Sequence, residues 1–197
     1  MATRSAALVL AAGSSKRMGS AKQLLPVEGR PLLEVILSAV CAARFDDVVA
    51  VLGADADEIR DRVDIGCARV VVNHDHAAGL SSSLKAGLQA LSPDVTRVMI
   101  VLGDQPAITP AVLDELLDLH ETSGQPAAAL RFGDLLHPPV VLDRELWPEL
   151  MKLEGDVGCR AIIRARPDLV ATIPAQTDAG HPIDIDTPDD YQHFVGR

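Results

Sequence analysis

Short apolar runs of strand length alternate along this chain with stretches of helical period, and that alternation constrains the fold more than any other feature. The runs are residues 6–11, 48–52, 69–72, 98–102, 127–130 and 169–173. Most are apolar throughout rather than at every second position, which is the pattern of strands covered on both faces. Between them, residues 31–43 open with Pro31 at a first helical position, 81–91 carry Leu84, Leu88 and Leu91 on one face, and 109–120 begin with a Thr109 cap followed by Pro110. The sequence therefore predicts βαβ units: an α/β domain with a mainly parallel sheet and helices on both faces. The 197 residues are read as one domain over 1–197, a size at which roughly 70% of the unfolded surface can be buried.

In open sheets of this kind ligands bind at the carboxyl ends of the strands, so polar residues that follow the apolar runs carry the most information. The first run leads into Leu10-Ala11-Ala12-Gly13 and then Ser14-Ser15-Lys16-Arg17-Met18-Gly19-Ser20-Ala21-Lys22. Small residues let backbone amides turn toward an anion, and Arg17 and Lys22 add the charge that triphosphate oxygens require. The spacing matches neither the dinucleotide fingerprint nor the P-loop, so a Rossmann dinucleotide site is disfavoured. An ordinary βα loop with solvated cations is the other reading. After the fourth run, Gly103-Asp104-Gln105-Pro106 places one carboxylate at the same edge. Mg²⁺ commonly takes one or two protein carboxylates together with substrate phosphates, which suits Asp104; a turn in which Asp104 bonds its own backbone also fits. Asp184 and Asp186 would share one face of an extended segment, with Pro188 near the start of a last helix. His74 and His76 do not make a zinc site, which needs three or four ligands.

Taken together, Leu10 to Gly19 and Lys22-Gln23-Leu24-Leu25 resemble the signature loop of the MobA-like NTP transferases, the family that includes the molybdenum cofactor guanylyl- and cytidylyltransferases. The resemblance continues through Asn73, Gly79-Leu80-Ser81-Ser82-Ser83-Leu84, Gly103-Asp104-Gln105-Pro106, Gly155-Asp156-Val157-Gly158-Cys159-Arg160 and Asp184-Ile185-Asp186-Thr187-Pro188. It implies a single Rossmann-like three-layer α/β domain of the nucleotide-diphospho-sugar transferase fold, an NTP substrate, Mg²⁺ and release of pyrophosphate. It also implies Arg17, Lys22 and Asp104 as catalytic residues and Asp104 with Asp186 as metal ligands. Leu10, Ala11, Ala12, Gly13, Arg17, Lys22, Asn73, Gly79, Ser81 and Ser82 would line the nucleotide, and His137, Asp156 and Arg160 the acceptor. One departure stands out: Leu136 precedes His137-Pro138 where the family usually has Gly.

Within the family, Ala11-Ala12-Gly13 resembles the cytidylyl branch, which implies CTP and a phosphorylated acceptor of the molybdopterin type. Transient contact with a molybdoenzyme or its chaperone would follow from such a product. The expected chemistry is in-line attack of an acceptor phosphate oxygen on the α-phosphorus; Ser81 and Ser82 sit in no nucleophile-elbow pattern. Two other readings stay open: a transferase of the same fold using another NTP or a sugar-phosphate or isoprenoid acceptor, and a non-enzymatic nucleotide- or cofactor-binding chaperone.

A net charge of −10 argues against a nucleic-acid or anionic-membrane partner, which would call for a broad basic surface. The apolar run near the N-terminus is far shorter than the ~20 residues of a membrane helix and has no signal-peptide layout, so a soluble, cytoplasmic protein is expected. Cys41, Cys67 and Cys159 show no C-x-x-C spacing, and are expected to be separate, reduced, buried thiols.

Overall fold

In the central strand β1 (Ser5–Ala11) every residue is buried, and the side chains divide between two cores. Ala7, Val9 and Ala11 face one apolar cluster, while Ala6, Leu8 and Leu10 face the other. Strand alternation thus accounts for the uninterrupted apolar run: each face of the strand has its own helical layer. The computed structural model describes residues 3–14, 21–174 and 184–196.

β1 is flanked by the parallel strands β4 (Asp47–Leu52) and β6 (Arg97–Leu102). A small antiparallel ribbon of β2 (Pro26–Val27) and β3 (Arg30–Pro31) precedes helix α1 (Leu32–Cys41). The main sheet is completed by β5 (Arg69–Val72), β7 (Ala127–Phe132), β8 (Leu135–Asp143) and β9 (Val170–Pro174), in the order β5-β4-β1-β6-β8-β7-β9. Only β8 is antiparallel to its neighbours. On one face lie α1, α2 (Ala56–Arg62), α4 (Pro110–Ser123) and part of α7 (Pro188–Val195). The opposite face is covered by α3 (Leu80–Ala90), α5 (Trp147–Leu150) and α6 (Arg160–Ala165). Among the described residues no helix is long and apolar enough to cross a membrane.

All six expected strands and the three expected helices form, with ends displaced by at most three residues. β8 is an addition that the sequence hides behind Pro138-Pro139. Its register explains how the prolines are tolerated: Ala129 pairs with Val140 but Leu130 pairs with His137, so both prolines fall outside the β7 ladder. The β6 ladder begins only at Val140. Residues without an N–H therefore sit where no partner strand needs one.

One expectation is corrected. Cys41 and Cys67 are not separate thiols but a disulfide, with Cα atoms 5.7 Å apart. It joins the end of α1 to the approach to edge strand β5, a meeting produced by three-dimensional packing that no short-range spacing announces. Cys159 is a free, buried thiol as expected, and burial pushes its pKa up to about 12, which leaves it protonated and inert.

Candidate active site

The carboxyl ends of β1 and β6 open into a cleft of about 820 Å³, lined among others by Ala11, Ala12, Gly13, Lys22, Gly79 and Asp104. That volume suits a nucleotide-sized molecule. The two strand ends meet closely because Gly103 has no side chain: a Cβ there would lie 2.7 Å from the Cβ of Ala11. The Gly103 N–H donates to the carbonyl of Leu10 at 2.9 Å, and so fixes Asp104 beside the loop that leaves β1. Gln23, almost fully buried, donates from Nε2 to the carbonyls of Ala11 (2.8 Å) and Gly13 (3.2 Å) and holds the start of that loop open.

Lys22 occupies the acidic corner of the cleft. Its Nζ donates to Asp104 Oδ2 at 2.6 Å and to Asp186 Oδ1 at 3.2 Å. Burial opposes the ammonium charge, but Asp104 and then Asp186 outweigh it, so the lysine pKa stands above its ordinary value. Burial also pushes the Asp104 carboxyl up, with Lys22 opposing and Asp184 and Asp186 adding to the rise. Both displacements point to a corner with more carboxylates than cations among the described residues. Asp104 Oδ1 is buried and has no hydrogen-bond partner among the described residues.

This donor set fits a hard divalent cation. Carboxylate oxygens are the ligands such an ion takes, a third acid stands nearby, and one buried lone-pair-bearing oxygen is left unused by the described residues. Asp104 and Asp186 are the residues that would hold it. The described residues contain no group of three or more His, Cys, Asp or Glu placed to form a complete protein cage, in keeping with an ion that relies on substrate phosphates for further ligands.

The remaining sequence-predicted residues fall into three places. Leu10, Ala11, Ala12, Gly13, Lys22, Gly79, Asp104, Asp156 and Asp186 all line the large cleft. Asn73, Ser81 and Ser82 line an adjoining pocket of about 410 Å³ on the outer side of α3. There the Asn73 amide nitrogen donates to Ser82 Oγ (2.8 Å) and Ser83 Oγ (3.0 Å), and its oxygen accepts from the Asp75 N–H at 3.0 Å. Asn73 thus organises the start of α3, and Ser83, with Leu80, lines the large cleft from that helix. His137 and Arg160 form a third group, the guanidinium hydrogen-bonded to the imidazole ring. Because β8 is reversed, its first residues lie at the same sheet edge as the ends of β1 and β6. Arg17 lies outside the described residues.

Two loops seal the cleft. Gly79 has φ +101°, and a Cβ there would sit 2.4 Å from the backbone carbon of Gly155. The Ser81 N–H donates to the Gly155 carbonyl at 3.1 Å and the Leu80 N–H to Asp156 Oδ1 at 3.4 Å. Asp156 therefore serves the helix start as well as the cleft wall. Sequence reasoning missed Gln23, Ser83 and Gln105; the signal was position, since each adjoins a motif residue that was singled out.

Residues 7–170 match the MobA-like NTP transferase domain. The chain is 34% identical to nicotine blue oxidoreductase of Paenarthrobacter nicotinovorans, over 91% of each protein, and 28% identical to purine catabolism protein PucB of Bacillus subtilis, over 92% of this chain and 91% of that one. Among solved structures it is similar to Rv0371c from Mycobacterium tuberculosis H37Rv, with a TM-score of 0.87, 31% identity and all of both chains covered. The manganese complex of that mycobacterial protein gives a TM-score of 0.84 at 30% identity, over 98% of this chain and 99% of the other. By the span of the family match and the likeness of these relatives, this chain belongs to the MobA-like NTP transferase family.

Proposed function

We propose that this chain transfers CMP from CTP to a phosphorylated acceptor of the molybdopterin type and releases pyrophosphate. The observation that carries the reading is the junction of Lys22, Asp104 and Asp186 at the mouth of a loop built from Ala11, Ala12 and Gly13. An acceptor phosphate oxygen would attack the α-phosphorus in line, forming a new P–O bond as the bond to the pyrophosphate leaving group breaks. The acceptor is already ionised, so no protein nucleophile is needed; the Ser82 hydroxyl contacts the carbonyls of Asp75 and Gly79, and Ser83 Oγ accepts from Asn73. Lys22 would stabilise phosphate charge from a fixed position. A divalent cation, when bound by Asp104 and Asp186, supplies charge neutralisation and orientation to the phosphates. Magnesium is the ion we assign; the manganese complex of a relative supports a divalent metal in this fold.

CTP is favoured over GTP because the Ala12 methyl, 6% exposed at the cleft wall, narrows the space beside a bound base compared with glycine. The acceptor side is assigned to His137, Asp156 and Arg160. An acid-rich corner paired with a phosphate loop suits catalysis better than a nucleotide-carrying chaperone.

The 34% identity to a protein named as an oxidoreductase favours a second reading, in which the same cleft serves a redox reaction. A matrix of the four common NTPs against molybdopterin-type, sugar-phosphate and isoprenoid-phosphate acceptors, read as pyrophosphate release, decides between them. Turnover with CTP and the molybdopterin-type acceptor is expected, and Asp104→Asn should abolish it. Reduced-nicotinamide consumption without pyrophosphate from any pair would replace the transferase reading with the redox one.

A further inference from the structure

We infer that Gln105 is a positioning residue that sets the separation of the two carboxylates, Asp104 and Asp186, by tying the Asp104 turn to the 184–186 segment. The inference rests on the proposed cation site, and concerns how that site is held in register.

The two carboxylates come from opposite ends of the sequence, and 184–186 is irregular backbone without sheet or helix of its own. Something must fix it beside β6. Two contacts do so. The Ile185 N–H donates to the carbonyl of Asp104 at 3.0 Å, and Gln105 Nε2 donates to Asp184 Oδ1 at 2.7 Å. Ile185 and the Gln105 side chain are both fully buried, so neither contact is exchanged freely with water. The flanking Asp186 is then presented to Lys22 from one side while Asp104 meets it from the other.

On the β6 side the backbone contact and the buried Ile185 side chain hold the segment at a single residue, while Asp190 holds the Asp186 N–H from the helix side. The amide–carboxylate contact adds a second point one residue away, and a donor to a charged acceptor is among the stronger hydrogen bonds. Burial of Gln105 has a further consequence. Its Oε1 has no hydrogen-bond partner among the described residues, so the amide is retained at this fully buried position although half of it gains nothing from the fold. Stability alone would be served as well by an apolar chain of the same length. The retained amide is explained by what its nitrogen holds.

The test measures Mn²⁺ binding by the full-length protein, alone and with CTP, from the electron paramagnetic resonance signal of the free ion. Gln105→Met fills the same space without the donor. It should raise the Mn²⁺ dissociation constant roughly tenfold, equivalent to about 1.4 kcal/mol, while the urea midpoint stays near that of the parent. Asp184→Ala should give a similar loss, Asp184→Asn, which keeps an acceptor for the amide, should recover most of it, and the double variant Gln105→Met/Asp184→Ala should be no worse than either single. In pyrophosphate release the Mn²⁺ activation constant should rise with kcat at saturating Mn²⁺ within about threefold of the parent. If Gln105→Met and Asp184→Ala bind Mn²⁺ as the parent does while Asp104→Asn does not, the positioning role is refuted and the cation site stands. Additive losses in the double variant would refute it as well. Parent-like Mn²⁺ affinity in Asp104→Asn would remove the cation site and this inference with it.

Discussion

At the scale of single residues, the charge balance of the cleft turns on Lys22, whose ammonium is held between two carboxylates. Replacing it by Ala deletes one charge from the phosphate loop and leaves the acidic corner without its described counter-charge. Contacts to charged groups contribute about 1.5–3 kcal/mol, so Lys22→Ala should lower kcat/KM for the nucleotide by about ten- to a hundred-and-fiftyfold. Steady-state kinetics at saturating acceptor measure this, and unchanged kinetics would take Lys22 out of the site. Lys22 and Asp104 drew attention in the sequence because they follow apolar runs at the ligand-binding edge of the sheet, and Asp186 through the family resemblance. Gln23 and Gln105 did not, since an amide's task depends on which carbonyl or carboxylate the fold sets opposite it. The partnering of Asn73 with Ser82 and Ser83 was hidden for the same reason.

At the scale of elements, runs buried on both faces announced themselves, whereas α2 and β8 did not. The α2 sequence Ala-Asp-Glu-Ile-Arg-Asp-Arg buries only Ala56 and Ile59, too few apolar positions for a periodic signal. β8 is interrupted by prolines that its bulge excludes from pairing. The last helix was expected near Pro188, and its cap is Thr187 in a reciprocal box with Asp190, whose carboxylate also accepts from the Asp186 N–H at 3.2 Å, so Asp186 joins the cap through its backbone while its side chain meets Lys22. Two predictions belong here. Gly79→Ala forces a Cβ into the Gly155 backbone at a residue of positive φ, so the loop before α3 and the loop at 155–156 must separate; strain of this kind costs on the order of 1–3 kcal/mol. A raised nucleotide KM together with a lowered urea midpoint is expected, and parent values for both would show that the two loops need not touch. The Cys41–Cys67 bond spans 26 residues, and loop-closure entropy for such a span contributes about 3 kcal/mol. Reduction should lower Tm by roughly 6–12 °C, and the Cys41→Ser/Cys67→Ser variant should show the lower Tm without further response to reductant.

On the scale of the whole molecule, the sheet separates two polar ends. The carboxyl edge of the parallel strands gathers the acidic corner, and the opposite edge carries a buried cluster where β1 and β6 begin and β8 ends. There Arg97 donates from Nε to Ser5 Oγ at 2.6 Å and also faces Glu121 at 3.6 Å, while His120 of α4 lies 3.3 Å from Asp143. Burial draws the His120 pKa below its ordinary value, Asp143 opposes this, and Arg97 adds to it. The folded protein therefore keeps His120 neutral where the unfolded chain, with an ordinary value near 6.5, takes up a proton. More protons bound by the unfolded chain means that stability falls as the pH is lowered through that range. Asp143 acts in the opposite sense, because burial pushes its carboxyl up and the folded state protonates it first; its effect belongs to more acidic solution. Urea unfolding at about pH 7.5 and about pH 5.5 should then show a lower unfolding free energy at the lower pH. His120→Gln, which retains hydrogen-bonding capacity without titrating, should lose most of that pH dependence. An equal decline in parent and variant would assign the acid sensitivity to other groups and leave the His120 cluster with a purely packing role.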